Sequence, residues 1–571
     1  MTHSHPTAAA DTLSTLVASR FASRLWQRDA TLFAPPGAAS AEAREIADRL
    51  GWLDAATGVQ AHVADLEAFA REIATAGCRD VYLLGMGGSS LCAEVFRDVT
   101  AGPPDPDRVR LEVLDTTDER RIGEITRALR PEESLFLVAS KSGGTIEVAS
   151  LEQHFWAEMS RARGGNAGAH FVAITDPGTA LAALGARRGY RRVILNPPDI
   201  GGRYSALTQF GLVPAALLGT NLDTLAASAA AMADRCRTDA AGNPGLELGA
   251  FMASHARAGR DKLTLVMSPR VEALGPWIEQ LVAESTGKHG LGVLPIVGEP
   301  RGEAGDYGSD RAFVTVHAGE PSRARSAEAG LPSIARSAAE GDDSSLASWE
   351  RRIRDAGHPV LSLEVDPGAL GGEFVRWEIA TAAAGAGIGV NPFDQPDVEL
   401  AKRRTRDQLD HFLARGELRT APELRTNHAC RVRSHTSAAP RPGGGYVAIL
   451  DYLPFDAGRD EALLELRRTV RERTGLAVTH GAGPRYLHST GQYHKGGPAG
   501  GRFVLVTSDD TTITMVPETA YSFSVLKHAQ AWGDFEALQA RDRDVLHVHF
   551  ADVTADVIAV LQDVVLEWLA S

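Results

Sequence analysis

Apolar residues recur at helical spacing through residues 1–74. Val17 to Trp26, Ala41 to Leu50 and Leu66 to Ala76 each read as a helix, and a Phe-Ala-Pro-Pro-Gly break separates the first two. The pattern then changes to short apolar runs alternating with longer helical stretches. Val81 to Leu84, Leu111 to Leu114, Ser134 to Ala139, Phe171 to Ile174 and Val193 to Leu195 read as strands. Asp118 to Leu129, Ile146 to Arg163 and Ala180 to Arg187 read as helices between them. Such alternation predicts a parallel sheet covered on both faces, with ligands outside the carboxyl ends of its strands.

A helical stretch, Leu222 to Arg237, leads into a second series of the same kind. Its strands are Leu263 to Met267, Val293 to Ile296, Phe313 to Val316 and Val360 to Val365. Its helices are Pro276 to Ser285, Leu346 to Ala356, Gly371 to Ala384 and Val398 to Ala414. Residues 319–345, rich in Ser, Ala and Glu, read as an exposed connection. Residues 431–445, ending in Pro-Arg-Pro-Gly-Gly-Gly, read as a linker. Beyond it, Tyr446 to Tyr452 and Phe503 to Thr507 are predicted strands, and Asp460 to Thr474 and Thr554 to Leu569 are predicted amphipathic helices. The expected organisation is a helical segment over 1–74, doubly wound α/β domains over 75–240 and 241–430, and a third α/β unit over 431–571.

Composition changes this picture little. The chain has 571 residues, 44% hydrophobic and 23% charged, which is ordinary for a soluble globular protein. Its net charge of −14 argues against nucleic acid, whose phosphates demand clustered Lys and Arg. It leaves room for a small anionic substrate, because backbone N–H groups and one or two cations set a local potential. The four cysteines, Cys78, Cys92, Cys236 and Cys430, have no C-x-x-C spacing, so reduced thiols in a cytoplasmic protein are expected. No secretion signal and no run of 18 apolar residues is visible, so no membrane partner is expected.

Candidate chemistry gathers at the predicted strand ends. Ser140-Lys-Ser-Gly-Gly-Thr145 follows an apolar strand and opens a helix, so free N–H groups and three hydroxyls converge as an anion site. The G-x-x-x-x-G-K-[ST] spacing of a nucleotide loop is missing. Gly87-Gly88-Ser89-Ser90 follows another strand, and its glycines admit a ligand close to the backbone. The plainer readings are an N-cap turn and a tight strand-to-helix turn. Glu284 ends a helical run, where an acid opposes the helix dipole, although an exposed last-turn glutamate is the ordinary case. Arg203 follows two glycines, Gly201 and Gly202, and an arginine so placed can face developing negative charge. Lys402 lies in a basic Lys-Arg-Arg helix that could equally be a solvated face. His488 and His494 are six apart, a weak metal signal with no clear third ligand. A polar loop beside a sugar, or exposed loop histidines, fits as well.

Together these motifs make the chain resemble the phosphoglucose isomerases over roughly residues 20 to 570. It is most similar to the isomerase half of the bacterial transaldolase–phosphoglucose isomerase fusions, here without a transaldolase part. The family's G-[IL]-G-G-S turn appears as Gly85-Met-Gly-Gly-Ser89, and its hydroxyl-rich loop as Ser140 to Thr145. G-G-R-[FY]-S is Gly201 to Ser205, E-S-x-G-K is Glu284 to Lys288, and F-D-Q-x-x-V-E-L-x-K is Phe393 to Lys402. The resemblance implies two sugar isomerase domains and reversible conversion of glucose 6-phosphate to fructose 6-phosphate through a cis-enediolate. It implies that Ser89, Ser140, Ser142 and Thr145 hold the phosphate, with Gly88 and Lys141 in the same turns. It makes Glu284 the base and Arg203, beside Gly202, the enediolate stabiliser, and it places Gln395 and Lys402 in the site. No cofactor or metal is called for.

Ordinary members carry an H-x-x-x-Q ring-opening histidine between the glutamate and lysine motifs. Here that region, Gly298 to Tyr307, has no histidine, whereas His488 to Gln492 has the pattern after Lys402. The expectation is that His488, with Gln492, acts from the third unit. The chain would then work as a monomer or a homodimer, with a functional link to a transaldolase in view. The alternatives are another sugar-phosphate isomerase or a non-catalytic sugar-phosphate sensor, which would need only the phosphate loops.

Overall fold

A computed structural model describes residues 5–34, 40–100, 108–319, 333–426, 430–437, 445–454, 457–553 and 557–570. The fold is α/β throughout, built on three sheets. The first sheet holds β1 (Asp80–Gly85), β2 (Arg110–Leu114), β3 (Ser134–Ala139), β4 (Phe171–Thr175) and β5 (Arg192–Leu195), all parallel, in the order β2-β1-β3-β4-β5. The second holds β6 (Lys262–Met267), β7 (Leu294–Ile296), β8 (Arg311–Ala318) and β9 (Val360–Val365), also parallel, in the order β7-β6-β8-β9. Every residue of β1 and β3 is buried. They read as continuous apolar runs because helices cover both faces. In each sheet the strand order reverses between the first and third strands, the position where such folds bind ligands.

The third sheet comprises β10 (Arg425–Thr426), β11 (Cys430–His435), β12 (Tyr446–Asp451), β13 (Ala477–Ala482), β14 (Gly501–Ser508) and β15 (Asp544–Phe550), ordered β10-β11-β15-β14-β12-β13. Its β13-β12-β14-β15 core is parallel, and β11 runs antiparallel to β15. The start of the expected linker is therefore a strand: Cys430–His435 pairs with β15, and only 438–444 of the linker lies outside the described residues. The expected connection over 319–345 is likewise helical in its second half, which belongs to the helix Ser333–Asp355, while residues 320–332 lie outside the described residues.

Among the helices that escaped the sequence pattern are Trp52–Gly58, Phe523–Ala540, Gln209–Leu217 and Pro244–Arg257. The last two are buried nearly all round and so carry no amphipathic stripe. Pro244–Arg257 starts where Asn243 accepts hydrogen bonds from the backbone N–H groups of Gly245 and Leu246, a cap worth about 1 kcal/mol, with proline at the first helical position. The predicted helix Val17 to Trp26 is broken at Arg20, whose φ of 57° starts a new helix, Phe21–Trp26.

Two packing features position the site. Trp52 stacks on Tyr204 at 5.0 Å between ring centroids, and Phe393 leans on both, so the N-terminal helices brace the Arg203 turn against the Phe393 loop. Such aromatic pairs add about 0.5–1.5 kcal/mol each beyond their buried area. The third unit is tied to the second by Arg467, which donates to the carbonyls of Val297 and Gly298 at 2.7 Å and also to that of Val478. Glu299, 1% exposed at its side chain, accepts from Arg311 at 3.0 Å and from the backbone N–H of Val478 at 2.9 Å. Breaking a buried, paired charge of this kind costs roughly 3–5 kcal/mol, so the third unit is held firmly. No helix among the described residues is long and apolar enough to cross a membrane.

Candidate active site

The two glycine- and hydroxyl-rich turns expected to hold phosphate stand side by side at the switch between β1 and β3. After β1, Gly87 adopts φ +55°, and a side chain on it would meet Gln280 Nε2 at 2.6 Å and the His488 carbonyl at 2.7 Å. A side chain on Gly88 would meet the Gly202 carbonyl at 2.0 Å, and the Ser205 hydroxyl donates to the Gly88 carbonyl at 3.2 Å. Glycine is required here because the Gly201–Ser205 turn, the helix bearing Glu284 and the His488 loop all converge on this backbone. After β3, Gly143 has φ +64°, Ser142 accepts from the Gly144 N–H at 3.3 Å, and the hydroxyls of Ser140 and Thr145 are hydrogen-bonded at 3.0 Å.

Ser142, Gly144 and Thr145 face a cavity of about 340 Å³ whose other walls carry Glu147, Lys402, Leu487, His488 and Gln530. The candidate phosphate turn, a lysine and a histidine thus share one space. A larger cleft of about 540 Å³ runs past Glu94, Glu279, His480 and Arg485, but neither candidate phosphate turn lines it. Size therefore does not identify the site.

Arg203 and Glu284 are buried and do not line this cavity; Gln280 links Glu284 to the His488 backbone at its wall. Arg203, 3% exposed, donates to Ser285 Oγ at 2.7 Å, Gln395 Oε1 at 3.0 Å, the Pro392 carbonyl at 2.6 Å and the Asp394 carbonyl at 3.0 Å. Its Nη1 is 3.2 Å from Glu284 Oε1. The other carboxylate oxygen of Glu284 accepts from Gln280 Nε2 at 3.2 Å, and the same nitrogen donates to the His488 carbonyl at 2.7 Å. Gln280 Oε1 is buried without a hydrogen-bond partner in the fold. Behind Arg203, Lys288 is ion-paired to Asp394 at 2.8 Å; burial, then the neighbouring guanidinium, pushes its amine down to about 7.

His488 Nε2 is 2.9 Å from Glu147 Oε1. Burial would push the Glu147 carboxyl up, but the imidazole and the charge of Lys402 outweigh it and hold the group below the usual glutamate range. The imidazole is thereby fixed by a carboxylate while its other ring nitrogen stays available. Lys402, half-exposed, pairs with Glu399 at 2.8 Å and lines the cavity.

The structure thus gathers Gly88, Ser89, Ser140, Ser142, Thr145, Gly202, Arg203, Glu284, Gln395, Lys402 and His488. Two expected substrate contacts lie elsewhere. Lys141 turns to an ion pair with Asp176 and donates to the Pro198 carbonyl at 3.1 Å. Gln492 is fully buried: it donates to Asp397 Oδ2 at 2.8 Å and the Gly287 carbonyl at 3.0 Å and accepts from the Asp397 N–H. It clamps the Glu284 and Lys402 segments together. His494, also buried, is hydrogen-bonded to Tyr446 at 3.0 Å, and no group of residues that could hold a metal occurs among the described residues.

Sequence reasoning missed Glu147 and Gln280. Signals existed: Glu147 is an acid in the first turn of a helix, where the dipole favours it, and Gln280 lies four residues before Glu284 on the same helical face.

Comparisons with known proteins place the chain among relatives of one family. The family model for phosphoglucose isomerase matches residues 56–292. A glucose-6-phosphate isomerase from Symbiobacterium thermophilum is 31% identical over 388 residues, 62% of this chain and 85% of that one. Its counterpart from Rubrobacter xylanophilus is 29% identical over 364 residues, 59% and 84% of the two chains. Among solved structures, a glucose-6-phosphate isomerase from Chlamydia trachomatis matches with a TM-score of 0.51 at 21% identity, covering 69% of this chain and 78% of its own. A hypothetical protein from Thermus thermophilus matches with a TM-score of 0.58 at 24% identity, covering 71% and 97%. These structural likenesses concern the fold alone.

Proposed function

The chain belongs to the phosphoglucose isomerase family, and from that premise we propose that it furnishes every catalytic group from a single polypeptide. The reaction is the interconversion of glucose 6-phosphate and fructose 6-phosphate. The phosphate anchors on Ser142, Thr145 and the backbone of both glycine turns, with Ser89 and Ser140 behind them. Ring opening needs a proton removed from the anomeric hydroxyl and one delivered to the ring oxygen. His488, held by Glu147, and Lys402 are the acid–base groups on that side of the cavity. Glu284 then takes the C2 proton of the open aldose and returns it to C1, while the C2 hydroxyl proton passes to O1. The negative charge of the cis-enediolate faces Arg203, which is fixed in advance by four acceptors besides Glu284.

The observation that carries this reading is the double donation by Gln280. One amide nitrogen joins the carboxylate base of the second unit to the backbone of His488 in the third, within one chain. A second subunit is then not required to complete the site. A sensor reading leaves Glu284 and Arg203 without work, since phosphate capture needs neither. The four cysteines are buried, in keeping with a reducing, cytoplasmic setting.

The test is His488→Ala. Turnover of closed-ring glucose 6-phosphate is expected to fall by about 100-fold, the scale of one acid–base group. Competitive inhibition by inorganic phosphate stays near its wild-type value. Wild-type turnover of the closed ring by this variant overturns the assignment of His488.

A further inference from the structure

We infer that Gln530, oriented by Thr117, is a positioning residue that keeps Glu147 ionised and so keeps His488 aligned for ring opening. The inference rests on His488 being the ring-opening group. Gln530 sits on the third-unit helix Phe523–Ala540 and is 2% exposed. Its Nε2 donates to Glu147 Oε1 at 2.6 Å, the same oxygen that meets His488 Nε2. Its Oε1 accepts from the hydroxyl of Thr117, wholly buried at the end of β2, at 3.0 Å. The amide has one sensible orientation, because turning it over would set its oxygen against the carboxylate. The chain Thr117–Gln530–Glu147–His488 therefore alternates between the first and third units. Docking of the third unit and alignment of the imidazole become one event.

A charge-assisted donor at 2.6 Å favours the carboxylate over the acid. Other charges face the pair. Lys402 lies across the cavity and favours the ionised Glu147, as does His488 itself. Asp115, at the end of β2, faces His488 and is paired with Arg485 at 3.3 Å; its burial pushes its own carboxyl up to about 6. Tyr452, after β12, also faces Glu147. Gln530 and His488 bond the Glu147 carboxylate directly, whereas these other groups act on it through charge alone. Without Gln530, Glu147 takes up a proton at higher pH, and His488 loses its anionic partner there.

The experiment is the pH profile of kcat/KM for closed-ring glucose 6-phosphate in wild type, Gln530→Met, Thr117→Val and His488→Ala. In Gln530→Met the acidic limb is expected to move up by about one pH unit, so that its loss reaches about tenfold on that limb and shrinks toward alkaline pH. Thr117→Val, which removes only the orienting hydroxyl, shifts the limb the same way by less, and decides the matter if Gln530→Met does not fold. A uniform loss at all pH values, or a wild-type acidic limb in both variants beside a crippled His488→Ala, overturns the relay and leaves the ring-opening assignment standing. A His488→Ala enzyme with wild-type turnover overturns both.

Discussion

Glu284→Gln is expected to lower kcat for fructose 6-phosphate by about 10³-fold, with KM changed only a few-fold. The substitution keeps the shape of the side chain and removes the lone pair that accepts the C2 proton. A positioned general base is worth 10²–10⁴ in rate, and here no other carboxylate lies within hydrogen-bond reach of both Arg203 and Gln280 among the described residues. The phosphate turns are untouched, because they lie at the ends of β1 and β3 rather than on the helix Leu274–Thr286. Steady-state kinetics coupled to oxidation of the glucose 6-phosphate formed reads both constants. A loss carried by KM instead of kcat would show that Glu284 holds substrate rather than moving its proton.

Arg203→Lys comes next, with kcat expected to fall by about 10²-fold, the scale of losing one preorganised donor to a developing oxyanion. Lysine keeps the charge but cannot make the fork. The guanidinium reaches Ser285, Gln395, Pro392 and Asp394 at once, and these contacts fix where its charge points. A compact ammonium leaves buried acceptors unmet and its own position loose. Arg203→Ala goes further: it removes the ion-pair partner of Glu284 and is expected to destabilise the fold by roughly 3–5 kcal/mol. Lysine therefore separates catalysis from folding. Its kcat, read beside a denaturant melt matching wild type, is the informative pair, and an undiminished kcat would remove Arg203 from the transition state.

The motifs were legible because local chain geometry makes them. A phosphate turn is glycines, hydroxyls and a helix start in six consecutive residues, and Ser140 to Thr145 announces itself. The parallel sheets were legible for a related reason, since β1 and β3 are buried on both faces and read as plain apolar runs. What failed were features set by distant partners. Glu147 and His488 are 341 residues apart, and nothing local pairs them. Lys141 belongs to the phosphate turn by sequence, yet Asp176 draws it away. The strand Cys430–His435 carries two arginines and a histidine in six residues, so it reads as a polar linker until β15 supplies its hydrogen bonds. The strand Asp544–Phe550 contains two buried histidines, His547 and His549, and the Thr507 hydroxyl is hydrogen-bonded to one ring nitrogen of each.

The account turns on one chain furnishing both Glu284 and His488. The direct test is to co-express Glu284→Gln and His488→Ala chains and assay the purified mixture for fructose 6-phosphate isomerisation with EDTA present. Sites built within single chains predict that the mixture has no more activity than the two variants assayed apart. Sites shared across a two-fold dimer would regenerate one intact site in each mixed pair and restore about a quarter of wild-type activity, which would contradict the single-chain site.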